Sequence, residues 1–207
     1  MRQFLMLCIG LMLTLAPVAQ AGDASAGEKA YANCAVCHGN SGEGNAALGA
    51  PVLAGQNEAY LVRQLKNFRA GLRGAHASDV KGMQMRGMAA TLADDAAVGD
   101  VAGYLAGLPQ QAQNAETDGA DMRNGENQYN GACGACHGGQ AQGNVGLRSP
   151  RLAGLDAAYL KLQYHNFAAG IRGSHPDDRL GQQMKMMATM LPSEKDLDDV
   201  VAFIVSQ

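Results

Sequence analysis

The chain states one pattern twice, ninety-nine residues apart. Cys34-Ala-Val-Cys37-His38 leads to Pro51, Leu53-Ala54-Gly55, Tyr60-Leu61, Gln64, Phe68, Gly71, Arg73-Gly74, His76 and Met85. Cys133-Gly-Ala-Cys136-His137 leads to Pro150, Leu152-Ala153-Gly154, Tyr159-Leu160, Gln163, Phe167, Gly170, Arg172-Gly173, His175 and Met184. No gap is needed after either Cys-x-x-Cys-His, and a one-residue shift before it aligns Gly27-Glu28 and Tyr31 with Gly125-Glu126 and Tyr129. Repetition this regular makes each copy a structural unit. Two small units of this size cannot each bury a large core from protein alone.

Residues 1–21 stand apart. Arg2, an apolar run from Phe4 to Leu15 and Ala19-Gln20-Ala21 read as a secretory signal with its cleavage site, placing the mature chain in the periplasm from near Gly22. The run is too short for a comfortable bilayer span. Without it the formal charge is −4, from 15 Lys plus Arg and 19 Asp plus Glu. No basic stripe remains that would suit a nucleic acid.

Cys8 leaves with the signal, so four cysteines remain, all in the repeated motif. Export invites a disulfide reading, but neither a disulfide nor a dithiol redox site needs the adjacent histidine. Structural zinc would need two more ligands per site, and no further cysteines are available. Cys-x-x-Cys-His is instead a signature of covalent haem attachment. Cys34 and Cys37 would capture one haem through thioethers and Cys133 and Cys136 a second, with His38 and His137 brought to the irons. Two covalently attached haem c groups are expected, each adding apolar surface around which short helices can fold.

The opposite ligand is sought among methionines. Seven of the eight beyond residue 21 lie in two clusters: Met83, Met85 and Met88, then Met184, Met186, Met187 and Met190. Adaptable core filling explains most of them. Met85 and Met184 each lie 47 residues beyond their histidine, but Met88 and Met187 also correspond. Spacing alone leaves that choice open. The equivalent His76 and His175 are rivals that could ligate iron, touch a propionate or occupy a polar loop, and Arg73 and Arg172 are candidates for pairing with haem propionates.

The segments between the motifs read as helices and glycine-rich loops. Ser25-Ala-Gly-Glu28 has capping-box spacing ahead of the first cysteine pair, with a counterpart helix around Asn124–Asn130. Gly39–Gly49 and Gly138–Gly146 read as loops. Asn57 to Gly71 and Asp156 to Gly170 each show helical periodicity, with Asn57 as cap and Gly71 as stop. A last helix is expected from near Ala93 to Leu108-Pro109, and another from Ser193 with Leu197, Val200, Val201 and Ile204 as its buried stripe. The expected organisation is a signal at 1–21, domains at 22–109 and 122–207, and a polar linker at 110–121.

The order of Cys-x-x-Cys-His, Pro-x-Leu-Ala-Gly, a Tyr-Leu-x-x-Gln-Leu-x-x-Phe helix and a Met-bearing loop resembles class I cytochrome c domains. Their duplication is similar to the cytochrome c4 family over nearly the whole mature chain. The resemblance implies an all-α fold of two tandem domains, each wrapped around one covalent haem. It assigns the iron ligand to the first Met of Met85-Arg-Gly-Met88, and carries over to Met184 although the second copy departs to Met184-Lys-Met-Met187. It also implies that the Pro51 and Pro150 carbonyls orient the proximal histidines and that the domains meet about a pseudo-twofold with propionate edges facing. The implied function is electron transfer without enzymatic chemistry of its own, from an upstream cytochrome complex to a terminal oxidase, with membrane or periplasmic redox proteins as partners and peripheral membrane association compatible with it. The competing reading is a dihaem electron-accepting subunit of a larger oxidoreductase such as a flavocytochrome.

Overall fold

Capping side chains and glycine stops divide the chain into nine α-helices among the residues that the computed structural model describes, 23–110 and 119–207. The signal segment and residues 111–118 of the linker lie outside the described residues. The first half holds α1 (Ala24–His38), a short 3-10 turn (Ala46–Leu48), α2 (Glu58–Ala70), α3 (Val80–Ala89) and α4 (Asp95–Gly107). The second holds α5 (Met122–Ala132), α6 (Gly134–His137), α7 (Ala157–Ala168), α8 (Arg179–Met187) and α9 (Glu194–Val205). No strand occurs among the described residues, so the fold is all-α as expected.

Local chemistry explains most boundaries. The Asn57 side chain accepts from Tyr60 N, and Gly71, in the left-handed region at φ 74°, closes α2. Asp156 caps α7 in the same way. Ser193 and Asp196 form a reciprocal pair at the start of α9: the Ser193 hydroxyl donates to the Asp196 carboxylate, and Asp196 N donates back to Ser193 Oγ. The cap of α1 differs from the sequence reading. Asp23 accepts from Ser25 N and Ala26 N, which leaves Ser25 inside the helix. A carboxylate is an equally good cap and lies two residues earlier. The segment equivalent to the end of α1 is split between α5 and α6 at Cys133, where Gly131 and Gly134 replace residues of higher helix propensity.

Each half is closed by its first and last helices crossing. A methyl group on Gly27 would lie 2.1 Å from the Asp100 carbonyl oxygen, and one on Gly125 would lie 2.1 Å from that of Asp199. Only glycine allows backbones to approach this closely. Tyr31 stacks tilted on Tyr104 beside the first crossing, and Tyr129 on Phe203 beside the second. Around the first crossing, Tyr31, Leu61, Leu92, Val98, Val101, Ala102 and Leu105 form a buried cluster. The corresponding cluster contains Tyr129, Leu160 and the α9 stripe Leu197, Val200, Val201 and Ile204, and it also takes in Val52 and Ala54 from the first half. The two halves therefore share core, and their relation is fixed by packing.

Candidate functional site

One cavity of roughly 700 Å³ runs through both halves, and the repeated motifs line it. In the first half α1 delivers Cys34, Cys37 and His38 to one wall, and α3 delivers Met85 and Met88 to another. In the second half Cys133, Cys136 and His137 face the cavity, as do Met184 and Met187 from α8. Leucines, including Leu61, Leu65, Leu160 and Leu197, supply much of the remaining lining. None of the four cysteines is in a disulfide.

The histidines are held in one tautomer. His38 Nδ1–H donates to the Pro51 carbonyl at 2.9 Å, and His137 Nδ1–H donates to that of Pro150 at 2.9 Å. With Nδ1 committed as donor, Nε2 is left with its lone pair available to a metal. Burial pulls both imidazoles below the ordinary histidine pKa, and the proline carbonyls oppose this only in part. Both rings are thus neutral near pH 7. Burial raises the Cys34 thiol and pushes that of Cys133 up to about 11. The Tyr31 hydroxyl donates to the Gly39 carbonyl at 2.6 Å and that of Tyr129 to Gly138 at 2.7 Å, clamping the turn that follows each histidine.

The methionines sit on helices, where the sequence suggested a loop. Asp79 and Asp178, both buried, cap α3 and α8 by accepting from Gly82 N and Gly181 N. Gly74 and Gly173 make room for those starts: at φ 74° and 76°, an added Cβ would lie 2.2 and 2.3 Å from the Gly82 and Gly181 carbonyl oxygens. Met85 and Met184 are half-buried, whereas Met88 and Met187 are exposed by 36% and 38%. His76 and His175 are exposed and lie outside the cavity lining. Their Nδ1 atoms accept from Ser78 N and Asp177 N, a loop-capping use.

Between the halves lies a polar network that the sequence did not show. Arg73 donates to Gln64 of its own half and to Tyr159 and Gln163 of the other. Arg172 mirrors it, donating to Gln163 and across to Tyr60 and Gln64. Each guanidinium also covers a phenyl ring of its own half, Arg73 over Phe68 and Arg172 over Phe167. Burial alone would raise the Tyr60 phenol, but the Arg172 and Arg73 charges hold it below its ordinary value. The only advance signal was that polar Gln64 and Gln163 recur on otherwise apolar helix faces.

This donor set fits a covalent haem in each half. Paired thiols, a neutral imidazole and a thioether from each half line one apolar cavity. Arg73 Nε and Arg63 Nε and Nη1 are buried with no acceptor among the described residues, and carboxylate groups at the cavity edge would satisfy them.

Comparison with known proteins agrees with that fit. The family model for cytochrome c matches residues 24–109 and again 122–207. A curated relative, cytochrome c4 of Azotobacter vinelandii, is 34% identical over 89% of this chain and 89% of its own. The thiosulfate dehydrogenase electron acceptor of Stutzerimonas stutzeri is 34% identical, over 85% of this chain and 84% of its own. Among solved structures, reduced recombinant cytochrome c4 from Pseudomonas stutzeri superposes with a TM-score of 0.73 at 31% identity, covering 89% of this chain and 98% of that one.

Proposed function

Because the chain belongs to the cytochrome c4 family, and so is an electron-transfer protein with two covalent haem c groups, we propose that it works in the periplasm, carrying electrons from the respiratory chain to a terminal oxidase. Cys34, Cys37, His38 and Met85 hold one haem in this reading, and Cys133, Cys136, His137 and Met184 the other. Each bound haem supplies a one-electron iron couple, and His/Met ligation sets it toward high potential. The chain's own part is to fix and tune. Pro51 and Pro150 hold the imidazoles in the ligating tautomer, leucines keep water from the cavity, and the Arg73–Arg172 network fixes one half against the other. The proposed domains, 22–109 and 122–207, each contain two thiols, an imidazole and a thioether that would together hold one haem, and iron held by both His and Met would have no open position for a substrate.

The observation that carries this reading is the repetition of thiol, thiol, committed imidazole and thioether around one apolar cavity. No described helix is long and apolar enough to cross a membrane. The test is stopped-flow oxidation of the reduced mature protein by membranes containing a terminal oxidase. Turnover of both haems at respiratory rates is expected, and failure to be oxidised would overturn the shuttle. A second reading, an electron-accepting subunit of a larger oxidoreductase, is favoured by the similarity to a thiosulfate dehydrogenase electron acceptor. Stable co-purification with a catalytic subunit, together with slow oxidation by membranes, would establish it instead.

A further inference from the structure

The repeat is broken at one half-buried charge in the cavity lining. Arg63 of α2 corresponds to Leu162 of α7, and both line the shared cavity. Arg63 reaches across to the other half. Its Nη2 donates to the Arg148 carbonyl of the second half at 3.0 Å, and its other charged neighbours there are Arg172, Arg148 and the buried Asp178. Its guanidinium lies 5.2 Å from the centre of the Tyr60 ring, and Nε and Nη1 are buried without an acceptor among the described residues. A second break in the repeat cancels itself. Arg148 stands where the first half has Gly49, while Lys81, whose side chain passes within 3.5 Å of where a Gly49 Cβ would be, stands where the second half has Leu180. Each loop thus keeps one nearby cation. Among the charged residues that line the cavity, Arg63 is the one left over.

We propose that Arg63 is a tuning residue supplied by the first half to the haem site of the second, raising the reduction potential of that site. A fixed positive charge in a poorly hydrated cavity favours the reduced iron, which carries one positive charge fewer, and the effect is stronger than at an exposed position because solvent screens it less. The N–H groups on Nε and Nη1, which have no acceptor among the described residues, would hold an anionic edge of the bound group, and Asp178 offsets part of the charge. Arg73 and Arg172 cannot create the asymmetry, because each has its mirror in the other half.

The inference rests on the placement of the haems proposed above, and the test separates the two. Redox titration of the mature holoprotein, resolved into two one-electron components, is run for the native protein, R63L, R63K and L162R. Substitution of Met184 by His, which lowers and spectrally marks the second site, identifies its component. R63L is expected to lower the second-site component, shifting the electron-exchange equilibrium between sites by about threefold to tenfold toward the first. R63K should retain most of the native value, L162R should raise the first-site component, and the exposed control R123L should move neither. Unchanged components in R63L, a larger shift at the first site, or R63K falling as far as R63L would overturn the tuning role. Absence of two haems by intact mass, or of a Met184-dependent component, would overturn the placement itself.

Discussion

Met85 and Met88 are one helical turn apart on α3, and both reach the cavity, as do Met184 and Met187 on α8. Side chains three residues apart on a helix share a face, so the repeat could not choose between them. The half-buried positions of Met85 and Met184 favour these as ligands over their more exposed neighbours. Substitution of Met85 by Ala should abolish one of two Met–iron absorption signals and lower that site's potential, and Met184→Ala should abolish the other. Met88→Ala should leave both signals in place, and loss of a signal there would transfer the assignment. The cysteines and histidines were legible in the sequence because covalent attachment ties five consecutive residues to one group. The thioether was less so, since its position depends on how α3 and α8 are aimed. The buried Asp79 and Asp178 and the glycines at 74 and 173 that aim them act through contacts absent from any short motif.

Helices that close each half are joined by an aspartate at their crossing. Asp23 N donates to Asp100 in the first half, and Asp121 N donates to Asp199 in the second. The second tie is more elaborate. Asp199, only 1% exposed, also accepts from Asn124 Nδ2 and from Lys195 Nζ. These bonds, that of Lys195 foremost, hold its carboxyl down at about 2. An unfolded aspartate titrates near ~3.9, so the folded state binds this proton less readily. The stabilisation is full above about pH 5 and is lost as pH falls through roughly 4 toward 2. Acid unfolding followed by helical circular dichroism should therefore be less steep in that window for Asp199→Asn than for the native chain, and identical acid profiles would contradict the assignment. The helices themselves were readable from periodicity and caps such as Asn57 and Ser193. Their crossings were not, because Gly27 and Gly125 matter through partners more than seventy residues away.

Sequence duplication announced two domains but not how they meet, because repeated residues look alike whether they face solvent or each other. The interface uses both kinds of position. Arg73, Gln64 and Tyr60 with their repeats Arg172, Gln163 and Tyr159 form a symmetric centre, whereas Gln56 has no polar counterpart, its equivalent being the buried Leu155. Gln56 is itself buried and grips one residue of the other half by its backbone. Its Nε2 donates to the Arg151 carbonyl and its Oε1 accepts from Arg151 N, both at 2.9 Å. This pairing sits beside Val52 and Ala54, which complete the core of the second half. Replacing Gln56 by Leu preserves much of the apolar packing but leaves an amide and a carbonyl of Arg151 without partners. Leaving buried groups unpaired costs about 1–3 kcal/mol. The Gln56→Leu protein should show a lower melting temperature and faster hydrogen exchange at the Arg151 amide, with both haems and their Met–iron signals retained. Unaltered exchange at Arg151 would mean that the two halves are held by the apolar contacts and the arginine network without this grip.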